Sequence, residues 1–312
     1  MQLSEIRKEL KFNTELVQLI ETLKNVAASQ YHVLEKEKKR FDEFMNAFAE
    51  FFRVVNLVEV ENPLVRVTSD TLGIIVVTSD SGFMGGLNQG VMRAAHEAQG
   101  NKPNDQTAYV VIGDKGAGTF SDAGRPFKFF QGINQEKIYE QAAEVKDYIV
   151  GEVLAKRMGK VIVAYPKSLS FSSQTIEVIN LLPCAALFDV SAASEVSVRL
   201  KKEDGVLAQA TRIIVESSFS DMVEYLAGVW VASKLYEVFE DSKLAEFSAR
   251  ALHLEGSFQK LEKDRKKIKH LCFKAVHEKI DKGMRECFAA KGTNKKRKKR
   301  TESAASAGAA AA

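Results

Sequence analysis

The stretch LGIIVVTSDSGFMGGLN, residues 72–88, decides the fold. Its first half holds the apolar run Gly73–Ile74–Ile75–Val76–Val77, the kind that forms a central strand covered on both faces. From Thr78 to Asn88 it becomes a glycine-bearing turn, and a helical pattern follows over Gly86–Gln99. Outward from there the alternation recurs. Strand-like runs lie at Leu72–Thr78, Ala108–Ile112, Phe127–Phe130, Lys160–Tyr165 and Thr175–Leu182, with a helical pattern at Gln135–Arg157 and a last strand expected at Thr211–Val215. This spacing predicts an α/β domain with a mainly parallel, doubly covered sheet.

The two ends of the chain read differently. All five prolines fall between Pro63 and Pro183, the first glycine is Gly73, and residues 1–62 contain neither. Because Pro costs about 3 kcal/mol inside a helix and Gly about 1 kcal/mol, the ends are predicted to be long helices. The first carries Ile6, Leu10, Leu16, Ile20, Leu23, Val26 and Ala27, then Phe41, Phe44, Phe48, Phe52 and Val55, at helical spacing. That aromatic stripe reads as packing rather than a ligand box. The second begins after Ser218, where Asp221 three residues on resembles a capping box. It carries Leu226, Trp230, Leu235, Phe239, Leu244, Phe247, Leu254, Phe258, Leu261, Ile268, Leu271, Ala275, Ile280, Met284 and Phe288. Helices of roughly 80 and 100 Å need a partner along most of their length. Joined by a compact insert, they should pair with each other. The predicted fold is therefore an antiparallel coiled coil of long N- and C-terminal helices with an inserted Rossmann-like α/β domain. Its divisions are a helix over 1–60, the α/β domain over 61–216, a helix over 217–290 and a disordered basic, alanine-rich tail over 291–312.

Composition narrows the function. The chain has 312 residues, 45% of them hydrophobic, and a formal charge of +4, much of it from the run Lys295, Lys296, Arg297, Lys298, Lys299, Arg300. The body is near neutral, so overall charge argues against a nucleic-acid partner. The basic run reads as a solubilising tail or an anionic contact. Cys184, Cys272 and Cys287 lack metal-ligand spacing and fit reduced thiols, and the five histidines form no cluster, His270 and His277 being seven apart on one helix face. No apolar run nears the ~20 residues that span a bilayer, and Glu5, Lys8 and Glu9 exclude a signal-peptide core, which predicts a soluble or peripheral protein.

Chemistry is sparse. A strand-to-helix glycine turn can cradle a phosphate, but 78–88 matches neither GxGxxG nor GxxxxGK[ST], and Gly113–Asp114–Lys115–Gly116–Ala117–Gly118 reads the same way. Both are expected to be structural turns. Asp80 and Asp114 lie near strand ends without an accompanying His or Cys, so capped turns are expected there. No catalytic residue, cofactor site or metal site is expected.

Particular residues resemble the γ subunit of F-type ATP synthases. Ile6–Arg7, followed without a gap by Val26–Ala27–Ala28–Ser29, is similar to that family's opening "IR…VAAS" helix. Ser79, Asp80, Gly82, Gly85, Gly86, Leu87 and Asn88 lie in a loop similar to the family's SDRGLCGGLN, the most specific match. Ile112–Gly113 with Lys115–Gly116 resembles the IGKKG turn, Ala164–Tyr165 and Leu181–Leu182–Pro183 fit later strands, and Glu246–Arg250 resembles SEHAARM. Departures are present. The NTQKIT stretch appears as Glu15–Leu16–Val17–Gln18–Leu19–Ile20, a usual methionine is Leu23, and the KARQ segment is Lys274–Ala275–Val276–His277.

The resemblance implies a non-catalytic central-stalk rotor that couples rotation of a membrane ring to ATP synthesis or hydrolysis. The implied partners are the alpha and beta subunits of the catalytic hexamer, the epsilon subunit and the membrane c-ring. The implied place is the cytoplasmic face of the inner cell membrane, as a peripheral subunit. Implied contacts to the ring are Arg7, Lys11, Leu23 and Lys24 on the first helix and Lys274, Val276 and His277 on the last. The alternatives are a cytoplasmic coiled-coil scaffold with a nucleic-acid-binding tail, a paralogous rotor of a specialised rotary ATPase, and a nucleotide-binding enzyme using Gly85–Gly86.

Overall fold

Strand β1 (Leu72–Val77) is buried at every position, with Ile74, Ile75 and Val76 at zero exposure. It owes this to parallel neighbours on both sides, β2 (Thr107–Ile112) and β4 (Lys160–Ser170), and to cover on both faces. The computed structural model describes the backbone of residues 3–55, 62–184 and 219–309, with side chains over 3–36, 62–184, 221 and 224–291. Five described strands form one sheet in the order β3-β2-β1-β4-β5, where β3 (Phe127–Phe130) is a parallel edge and β5 (Ser173–Leu182) returns antiparallel to β4.

Alternation along β1 separates two cores. Leu72, Ile74 and Val76 pack with Val91 and Ala95 of α2 (Leu87–Gln99) and Phe120 of α3 (Asp114–Asp122). Ile75 and Val77 face the other way, into a cluster with Ile138, Val145 and Ile149 of α4 (Ile138–Leu154). That cluster also contains Tyr31 and Leu34 of α1 (Leu3–Val55) and Leu235, Phe239 and Phe247 of α5 (Phe219–Ala309).

The chain divides into two compact units. The inner unit, Leu23–Leu254, holds the sheet and the portions of α1 and α5 that cover it. Between Val238 and Ala251, α5 is buried almost all round, as expected of a helix inside a core. The outer unit joins Met1–Thr22 to Glu255–Ala312. As α1 runs from the outer into the inner unit and α5 runs back, the two helices pair antiparallel. On α1, Ile6, Asn13, Val17 and Ile20 are buried, in steps of seven, four and three.

Several sequence expectations are adjusted. Leu23 and Val26 are exposed rather than part of the seam, because a heptad row through Ile6, Val17 and Ile20 drifts away from a straight 3.6-residue stripe. The stripe from Phe41 to Val55 has helical backbone, and its side chains lie outside the described residues, as do Ser218 and the strand expected at Thr211–Val215. The β4–β5 hairpin is longer than its buried part, since Pro166–Ser170 continue the ladder. At its tip Phe171 meets the Tyr31 ring edge-on, with centroids 5.1 Å apart. Helix α3 occupies the glycine cluster read as a turn. Helix α4 starts at Ile138 after a short 3₁₀ turn and stops at Leu154. Helical backbone extends through 291–309, beyond the boundary at 290 read from composition, in keeping with the helix propensity of Lys, Arg and Ala.

Gly113 links β2 to α3 at φ +94°, where a Cβ would lie 2.3 Å from the Thr78 carbonyl oxygen. Gly113→Ala is therefore expected to destabilise the full chain by about 3 kcal/mol. Urea unfolding checks this, and a loss of under about 1 kcal/mol would mean that the turn relaxes freely.

Candidate functional site

The loop after β1 is the most specific sequence feature, and the structure shows what holds it. Thr78 donates its hydroxyl to the Ile112 carbonyl at 2.7 Å and accepts from the Gly116 N–H at 3.0 Å, tying β1 to the start of α3. Ser79 and Asn88 close the two ends of the loop. Asn88 Nδ2 donates to Ser79 Oγ at 2.9 Å, and Asn88 Oδ1 accepts from the Ser79 N–H at 3.3 Å. Asp80 Oδ1 then accepts two backbone N–H groups, from Asp114 at 3.0 Å and Gly132 at 3.1 Å. Gly132 is required by closeness: a Cβ there would meet the Asp80 carboxylate at 2.3 Å.

The remaining loop residues are placed as follows. Gly82 is half-buried, and its carbonyl faces the Arg250 Nε at 3.5 Å. Gly85 adopts φ +59° beside His253, Gly86 precedes the first turn of α2, and Leu87 opens that helix half-buried. Phe83 is left at the tip, with φ +66° and 59% exposure.

An open cleft of about 960 Å³ lies at this edge, lined by Asp80, Asp114, Gln141, Lys243, Glu246 and Arg250 among others. Open α/β sheets bind ligands in this region. Several of its polar groups, Asp80, Gln141, Lys243, Glu246 and Arg250, bond within the protein. The Asp80 carboxylate meets the N-terminus of α3, where a phosphate would otherwise find N–H donors. Glu246 engages both cations, accepting from Lys243 at 2.9 Å and from Arg250 at 2.5 Å. Among the described residues no group of His, Cys, Asp and Glu could hold a metal ion. Cys184 is buried, which pushes its thiol up to about 12 and keeps it protonated.

The residues implied as ring contacts lie on the two long helices. Arg7 and Lys11 are exposed, with Lys11 3.8 Å from Glu15, and on α5 Lys274 and His277 are exposed while Val276 is half-buried. These five belong to the outer unit. Leu23, 37% exposed, and the half-buried Lys24 lie on the part of α1 in the inner unit. The structure also corrects the apolar stripes. Leu271, Ile280, Met284 and Phe288, read as packing against the first helix, are 51–73% exposed, and Phe12, Leu19 and Phe273 are exposed with them. The signal for them was there: apolar residues at more than one helix face exceed what a two-helix seam can bury.

Two long helices with exposed apolar side chains, and an α/β domain between them in sequence, are the elements of a stalk protein. The chain belongs to the ATP synthase family, whose model matches residues 2–289, as a γ subunit of the F-type central-stalk rotor. It is 25% identical over 204 residues to the ATP synthase gamma chain of Desulforudis audaxviator, covering 64% of this chain and 66% of that one. It is 24% identical to the gamma chain of Exiguobacterium sp., covering 80% and 83%. The rotor of the Euglena gracilis mitochondrial ATP synthase has the same fold, with a TM-score of 0.60 at 15% identity over 89% of this chain and 98% of that one.

Asp80→Ala strands the N–H groups of Asp114 and Gly132, so it is expected to cost about 2 kcal/mol, whereas Asp80→Asn keeps an acceptor and should cost under about 1 kcal/mol. Chemical denaturation of both full-length variants measures the difference. Equal losses would mean that carboxylate charge, not hydrogen bonding, holds the loop.

Proposed function

We propose that the chain is a non-catalytic shaft whose outer helix pair turns within the ring of alpha and beta subunits. Its α/β domain then contacts the epsilon subunit and the membrane c-ring. The observation that carries this reading is the exposed apolar face of α5, Phe273, Ile280, Met284 and Phe288, on a helix with no proline along its length. Large apolar side chains clustered in water mark an interface. Similar solved structures are described as central stalk with c-ring in Tetrahymena thermophila and as OSCP, F1 and c-ring in Euglena gracilis. As no described helix is long and apolar enough to cross a membrane, attachment to such a complex would be peripheral, and we place it on the cytoplasmic face.

Within this reading the residue roles divide by chemistry. Arg7, Lys11, Lys24, Lys274 and His277 supply weak charged contacts to acidic levers of the ring, each worth under about 1 kcal/mol when exposed. Leu23 and Val276 supply apolar contact, Val276 at the place where the resembling family carries Arg. The loop from Ser79 to Asn88 is a joint of the α/β domain rather than a binding site. The working parts are residues 1–60 and 217–290 as shaft, 61–216 as base and 291–312 as an accessory extension.

Co-purification tests the assignment. The full chain should recover alpha, beta and c-ring subunits and raise the ATPase turnover of the ring. A chain that elutes alone and binds DNA with a steep salt dependence would instead support the scaffold alternative. Replacing Ile280 and Met284 together by Asp should leave the melting temperature of the free chain unchanged, since both are exposed. Coupled ATPase activity should fall about tenfold, the size of an apolar interface loss of about 1.4 kcal/mol. Unchanged activity would remove this face from the bearing.

A further inference from the structure

The outer unit contains one buried polar residue that its apolar neighbours do not explain. On α1 the seam row runs Leu3, Ile6, Leu10, Asn13, Val17, Ile20, in unbroken steps of three and four. Asn13 is 8% exposed, and its side-chain oxygen has no hydrogen-bond partner among the described residues. The matching row on α5 runs Leu254, Phe258, Leu261, Arg265, Ile268, Cys272, Ala275, each buried or half-buried. Arg265 is the one charged residue in that row, and it pairs with Glu262 on its own helix.

We infer that Asn13, set level with Arg265, fixes the register of the shaft's helix pair. In an antiparallel pair this setting places Ile20 level with Phe258, Val17 with Leu261, Leu10 with Ile268 and Ile6 with Cys272. It also brings Thr22 within one residue of the level of Glu255, the two positions that bound the outer unit. A shift of one heptad would set Arg265 against Ile6 or against Ile20, and would leave the remaining layers apolar. It would also set the Asn13 amide against Phe258 or against Cys272, neither of which offers a good donor. Each shifted register thus sets two polar side chains against apolar ones, where the proposed register sets the two polar side chains in one layer, so the shifted registers are penalised. At the level of Arg265, a guanidinium carries donors beyond those used by Glu262. A polar residue at one seam position selects register at a cost in stability, and here the cost is visible as the unanswered oxygen. A rotor gains from this, because a pair of apolar seams is otherwise free to slip under torque.

Native Cys272 makes the register measurable. In the full chain with Ile6→Cys and Cys287→Ser, mild oxidation should give a disulfide between positions 6 and 272 in high yield. Failure to form it would overturn the register. Adding Asn13→Leu should raise the melting temperature yet lower the yield about fivefold, since the penalty on shifted pairings is gone. Arg265→Leu should lower the yield similarly, and Arg265→Lys should keep it. A merely structural amide would change the melting temperature and leave the disulfide yield as it was. Undiminished yield in both leucine variants would sink the inference.

Discussion

Among the described residues the second face of the sheet is covered by α4 together with parts of α1 and α5, and everything else follows from that shared cover. Ile75, Val77 and Val163 share one core with Tyr31 and Leu34 of α1 and with Leu235, Phe239 and Phe247 of α5. Each such side chain contributes roughly 1.5–3 kcal/mol by leaving water, so parting the sheet from the helices would cost more than a domain's whole stability. The α/β domain is therefore inserted in sequence but not independent in energy. Close-packed interiors of this kind transmit force with little give.

The Asp80 joint serves the same end. In an open α/β sheet the strand ends are where a ligand would be held, by N–H groups at a helix terminus. Here the chain supplies that anion itself, and the carboxylate draws α3 and the loop before α4 onto the end of β1. Arg250 adds a link from α5 to the Gly82 carbonyl. A scaffold suited to binding has become a fastening. Because the fastening is built from hydrogen bonds to backbone N–H groups, one of them on the buried Gly132, it depends less on salt than a surface ion pair would.

The sequence made some of this plain and hid the rest for definite reasons. β1 was legible because Ile74, Ile75, Val76 and Val77 are all apolar, and the absence of Gly and Pro before Pro63 revealed the first helix. Helix α3 was hidden because Gly113, Gly116 and Gly118 look like a turn, although close approach to Thr78 is what calls for glycine at 113 and 116. The partners of Asp80 lie 34 and 52 residues away, beyond any local pattern. Asn13 was invisible because a search for apolar periodicity skips the one polar residue in the row. The same search placed Leu271, Ile280, Met284 and Phe288 in the seam, although a pair of helices can bury only one face of each. The loop residues from Ser79 to Asn88 were found by resemblance, but their role as a joint required coordinates.

In the proposed assembly the inside and the outside of the shaft obey opposite rules, and these would account for a Val at position 276. Inside, one register must win, so a polar residue is tolerated despite its cost. Outside, a rotor that passes several equivalent sites is slowed by any contact that is much stronger in one position than in the next. Apolar attraction is non-directional and scales with area, so it changes smoothly as a surface slides. A charge-assisted contact is directional and strong, and it holds a preferred angle. An Arg in place of Val276 would provide the second kind of contact. A half-buried Val beside Ile280 and Phe273 provides the first, leaving His277 and Lys274 as exposed polar groups around an apolar bearing. In the proposed assembly this exchanges a defined stop for a smoother surface. The stiffness that the exchange demands of the shaft is supplied by the shared core and the selected register.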